Sequence, residues 1–163
     1  MTSSSGSGTN EIVEKFKGLP VGERIILIAG PLFFIDSFLR WFHYPGVAGF
    51  GGVSRSGWSG DLSFFSIIAV LASIVMVAQI IIARFTTVQL PALPQGITWP
   101  RVHLGIAAYV ALAVLLRLLF GESAGSFDAD RSYGLFIAII LAAALCVGGF
   151  LLFQEEQKGT PAA

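Results

Sequence analysis

Apolar positions along the chain are gathered into four long runs, over 25–43, 62–83, 102–120 and 133–153, separated by short polar stretches. Each run is bounded by charges or helix breakers: Glu23 and Arg24, then Asp61 and Arg84, then Pro100, Arg101 and Glu122, then Arg131, Glu155 and Glu156. About 20 apolar residues in a helix cross the roughly 30 Å of bilayer hydrocarbon, so each run is long enough to span. None alternates with the dyad period of a barrel strand, and lipid cannot satisfy an unpaired backbone, so the runs are predicted to be helices. The first run exceeds the apolar core of a signal peptide, carries Asp36 and Arg40, and is followed by no small-x-small cleavage pattern. It is expected to be a retained anchor. The predicted fold class is all-α membrane, a four-transmembrane-helix bundle occupying 20–156.

The polar stretches predict the remaining elements. Residues 1–9, rich in Ser, Gly and Thr, have nothing to bury and are expected to be a disordered tail, as are 157–163. Over 10–19, Ile12, Val13, Phe16 and Leu19 share one helical face opposite Glu11, Glu14, Lys15 and Lys17, with Asn10 placed as N-cap. This predicts a short amphipathic helix lying at the inner membrane surface, either as a collar for the first span or as a docking element. Pro20 suits a first helical turn, and Pro31 is expected to kink the first span. The loop over 44–60 holds six glycines and is expected to be mobile, while 86–99, with Pro91 and Pro94, reads as extended. Trp41, Tyr44 and Trp58 are assigned to an outer interfacial aromatic belt and Trp99 to the inner one.

Composition narrows the class further. Hydrophobic residues make up 55% of the chain and charged residues 12%, about half the share usual in a soluble domain. Ten basic and ten acidic side chains cancel, so no positive field points to nucleic acid, and the single cysteine excludes an internal disulfide framework. Lys15, Lys17, Arg24, Arg84, Arg101 and Lys158 fall on one side of the spans; the opposite side has only Arg55 and Arg131 in its loops, with Arg40 and Arg117 near span ends, and collects Asp61, Glu122, Asp128 and Asp130. Because basic flanks resist translocation, both termini are expected in the cytoplasm, in a multi-pass protein of the cell (plasma) membrane.

Candidate chemistry is sparse. Asp36 and Arg40 stand one helical turn apart near the outward end of the first predicted span, and Arg117 lies at similar depth in the third. A polar cluster of Asp36, Arg40 and Arg117 is therefore possible, either as a structural clamp or as a ligand or ion site. His43 and His103 fall at opposite membrane faces and cannot share a haem iron. Gly134, Ala138, Ala142 and Cys146 recur at every fourth residue of the last run, a small-residue face that lets helices approach closely, within the bundle or between copies. No phosphate loop, zinc-ligand spacing, nucleophile elbow or paired-carboxylate site occurs, and no metal or cofactor is expected.

With Glu23-Arg24, Phe38-Leu39-Arg40-Trp41 and Gly57-Trp58 in a Gly-rich first outward loop, the chain resembles small four-span bacterial membrane proteins of unknown function. Those relatives often carry proline where Arg40 stands, so the resemblance implies no role for Arg40. A claudin-like outline fails on the short loop and the missing cysteine pair. The expected function is non-enzymatic, acting by association as an accessory or structural subunit or as a homo-oligomer, with the lipid bilayer and other membrane subunits as partners. The alternative is a small oligomeric channel or transporter whose polar cluster lies in the outward half; a lipid-modifying or redox enzyme is the third reading.

Overall fold

The computed structural model describes residues 5–46, 51–91, 93–94, 96–124 and 127–159. It contains α1 (Ser5–Gly18), α2 (Val21–Asp36), α3 (Ser63–Phe85), α4 (Trp99–Phe120) and α5 (Tyr133–Gln157). By length and composition α3, α4 and α5 could each cross a membrane. The number rises to four if α1 and α2 are taken together as one segment, although the chain bends by 117° between them. The helical class predicted from the apolar runs is thus present, with membrane-length helices over the last three.

The first run departs from its prediction. Helix α2 ends at Asp36, seven residues short of the expected end of the run. Its 16 residues measure only about 24 Å at the helical rise. Beyond it Ser37 N–H still bonds the Phe33 carbonyl at 3.0 Å, and the Ser37 hydroxyl turns back to Phe34 O at 2.5 Å. The chain then becomes extended, because strand partners capture its backbone: Trp41 N donates to Arg55 O, Ser132 N to Trp41 O, and Gly134 N to Arg40 O. Residues Phe42–Tyr44 form β1, which pairs antiparallel with β2 (Val53–Arg55) on one side and β5 (Asp130–Arg131) on the other. A second small ladder joins β3 (Ser123–Ala124) to β4 (Phe127–Asp128). Within this mostly helical fold the connections carry two small sheets of two- and three-residue strands, gathered where α2 ends and α5 begins, and part of the loop expected to be mobile is strand β2.

The N-terminal helix is also longer than predicted. It starts at Ser5, so Asn10 lies inside it rather than capping it, and 5–9 are helical instead of tail. The expected tail residues 1–4 and 160–163, and Gly49 within the glycine loop, lie outside the described residues. At the other end, α5 continues through Gln157, with Lys158 as its C-cap.

Helices α2 and α4 each pack against both α3 and α5, which places the four longer helices in a ring. Ile26, Phe33, Met76, Ile80, Val110, Val114, Leu135 and Leu145 fill its centre. Glycine sets the closest approaches. A Cβ on Gly148 would meet Ile26 and the Gly22 carbonyl, and one on Gly149 would meet the backbone of His103 and Leu104. The outer faces are apolar as well: Ile28, Leu32, Leu112, Phe136, Ile140 and Val147 are exposed. Helices apolar on all sides suit a lipid surround rather than water.

Candidate functional site

Two polar constellations tie the ends of the helices together. The first is built on Arg117, in the last turn of α4, and Glu122, just past it. Gly121 ends the helix at φ +64 and ψ −154, a backbone conformation open mainly to glycine, and the Glu122 carboxylate that follows lies beside Arg117. The two form an ion pair at 2.7 Å with side chains only 0% and 1% exposed. Arg117 Nη2 also donates to Ser56 O at 3.1 Å and Ser59 O at 2.9 Å, clamping the 56–60 loop onto α4. The guanidinium lies over the rings of Trp41, at 5.7 Å, and Phe42, at 5.0 Å. Arg55 approaches Glu122 from the strand side at 3.8 Å. Burial pushes the Glu122 carboxyl above the ordinary carboxylate range, while the guanidinium charges of Arg117 and Arg55 draw it back. Gly60, at φ +100, completes the enclosure: a Cβ there would collide with the Glu122 carboxylate.

The predicted cluster of Asp36, Arg40 and Arg117 does not form. Arg40 falls beyond the end of α2, so the one-turn spacing that would have paired it with Asp36 is lost. Its exposed side chain instead stacks over Tyr133, 5.6 Å from the ring centre. Asp36 is buried beside Trp41, whose indole N–H donates to the Asp36 carbonyl oxygen at 3.1 Å. Arg117 takes Glu122 as its ion-pair partner. In the sequence Glu122 stands out only as a charge bounding the third apolar run. The signal that could have identified it is the Arg117-x-x-x-Gly121-Glu122 spacing, in which a glycine ends the helix and sets the acid that follows beside the base.

The aromatic assignments divide. Trp41 is wholly buried in the core instead of lying in an interfacial belt, because its backbone joins the strand pairing and its ring covers Arg117. Trp58 is half-buried, donates Nε1–H to the Ser37 hydroxyl at 2.8 Å and stacks on Phe38. Tyr44 lies beneath Arg55, and Trp99 opens α4, half-buried.

The small-residue row of α5 faces the molecule's own interior. Gly134, Ala138 and Ala142 are buried; Gly134 abuts the Arg40 carbonyl, and the Cys146 thiol donates to Ala107 O at 3.2 Å.

At the opposite end of the helices, Glu23 in the first turn of α2 receives Arg84 from the last turn of α3 through Nε, at 3.1 and 2.9 Å, and Nη2, at 2.8 Å. Arg101 reaches Glu156 at 3.7 Å, joining the same ends of α4 and α5. His103 is buried nearby, and neither ring nitrogen has a hydrogen-bond partner among the described residues. His43 lies in β1, its Nδ1 3.2 Å from the Ser54 hydroxyl. Among the described residues no group of three or more His, Cys, Asp or Glu side chains could hold a metal ion. Chemically, both constellations tie elements together: each carboxylate is held by a guanidinium of a neighbouring segment. Comparison of the chain with protein-family models, with curated proteins and with solved structures finds no match.

Proposed function

We propose that this chain is a four-span protein of the plasma membrane, with both termini cytoplasmic, that works by association: an accessory or structural subunit, or a homo-oligomer, rather than an enzyme. The observation that carries the reading is the fate of the charges within the apolar body. Arg117 is held by Glu122 and two carbonyls, and Glu23 by Arg84, so these two pairs serve to hold helices and loops together, while the buried Asp36 carboxylate has no hydrogen-bond partner among the described residues and no cation beside it. A permeation path needs such groups lining it, and the channel or transporter alternative loses the Asp36, Arg40 and Arg117 cluster on which it rested. The broad apolar outer faces of the helices remain for lipid and for neighbouring membrane helices. Helix α1, turned by 117° from α2 and amphipathic, lies along the inner membrane surface. The test is the mass of the detergent-solubilised full chain, alone and after mild crosslinking in its native membrane. A defined oligomer or a reproducible set of membrane partners is expected, and a lone monomer that crosslinks to nothing sinks the reading.

A further inference from the structure

Between α2 and α3 lies a groove of about 250 Å³ lined by Gly30, Pro31, Phe34, Ile74 and Val77, with no polar lining surface. Two arginines lie on the same helix faces as the groove, two turns away along α2 and α3. Arg24 lies seven residues before Pro31, and Arg84 seven after Val77; seven residues are two helical turns, so each shares a face with the groove residue on its own helix. The same spacing sets both arginines roughly 10 Å inward of the groove. Arg84 is committed to Glu23 through Nε and Nη2, leaving Nη1 outside that pair. The Nε of Arg24 is buried with no hydrogen-bond partner among the described residues. Two guanidinium groups against one carboxylate leave a single positive charge where the apolar groove meets the membrane face.

From this arrangement we infer a binding site for one phospholipid of the cytoplasmic leaflet, with its phosphate on Arg24, assisted by Arg84, and one acyl chain in the groove. The match is one of chemistry and of depth. A phosphodiester accepts charge-assisted hydrogen bonds that a guanidinium can donate in pairs; with the Arg24 Nε enclosed by protein, the two terminal nitrogens are the donors it can offer. A chain descending from that phosphate passes the Gly30 and Pro31 level about 10 Å further in, where only hydrocarbon is matched by the lining. Gly30 keeps the helices close at this point, since a Cβ there would run into the Val77 side chain, and Pro31 stands one residue on. The inference rests on the membrane-spanning part of the proposed function and not on association.

The test is native mass spectrometry of the full chain in non-ionic detergent, titrated with dioleoylphosphatidylglycerol. One retained lipid per chain is expected. Arg24→Gln should weaken retention roughly tenfold by removing the charged donor, while Arg24→Lys keeps part of it. Ile74→Phe, which fills the groove, should reduce retention to background; Leu112→Phe, on the exposed face of α4, should leave it unchanged. Glycerol phosphate, lacking chains, and dioleoylglycerol, lacking phosphate, should each fail to compete. Retention unchanged in both Arg24→Gln and Ile74→Phe overturns the site, as does equal competition by either fragment. Should Arg24→Gln fail to fold, Ile74→Phe against Leu112→Phe decides alone. A chain that oligomerises yet retains no lipid sinks this site without touching the association reading.

Discussion

Arg117 places a guanidinium in a wholly buried position, and what surrounds it decides whether the fold tolerates that. Glu122, two carbonyls and two aromatic faces share the guanidinium, so removing the carboxylate leaves a buried cation without its counter-charge. Breaking one half of a buried pair typically costs about 3–5 kcal/mol, whereas replacing both halves by apolar residues of similar volume is often neutral. Glu122→Gln is therefore expected to lower the thermal midpoint of the detergent-solubilised chain sharply, and Arg117→Met with Glu122→Leu to recover most of the loss. A double variant as unstable as the single one would mean that the Ser56 and Ser59 bonds, not the ion pair, hold the loop. Gly60→Ala should also destabilise, from its left-handed backbone and its collision with Glu122. At this scale the sequence was legible for Arg117, conspicuous as an arginine inside an apolar run, but not for its partner. Asp36 and Arg40 match the i to i+4 spacing of a helical pair, and that spacing has meaning only where the helix continues.

The element scale explains why it does not continue. Apolar residues continue on both sides of Arg40, in Phe38-Leu39 and Trp41-Phe42, and over so short a stretch periodicity cannot tell a buried strand from a buried helix. The end of α2 is set by long-range partners, Arg55 and Ser132, which no local pattern announces. The glycines and alanines of α5 were legible as a packing face, since small residues at every fourth position have few other uses in lipid. Their partners became visible only once α2 and α4 were in place on either side. A side chain at Gly148 would press on Ile26 and the Gly22 carbonyl and force α2 away from α5. Gly148→Leu is expected to destabilise by about 1–3 kcal/mol, the usual range for overpacking. Measured by thermal unfolding, it should exceed the effect of Val147→Leu, whose side chain is exposed one position away.

For the whole molecule the open quantity is the number of crossings, and it turns on α2. Sixteen residues, about 24 Å of helix, fall short of a typical hydrocarbon thickness. Yet the segment is matched to α5 at both ends: Gly22 abuts Gly148 and Leu152 at the inward end, and Arg40 abuts Gly134 at the outward end. The stretch from Gly22 to Arg40 is thus coextensive with most of α5, the Ser37 turn and the buried Trp41 extending what the helix leaves short, and on the four-span reading proposed above it crosses beside α5. Four crossings put both termini on one side; three would put them on opposite sides. The two outcomes separate by labelling in intact cells with a membrane-impermeant maleimide, in a Cys146→Ala background. Gly8→Cys and Lys158→Cys should both stay unlabelled until the cells are permeabilised, and Asp130→Cys, exposed on β5, should label at once. If Gly8→Cys labels from outside while Lys158→Cys does not, α2 does not cross, and the basic residues near it do not set its orientation.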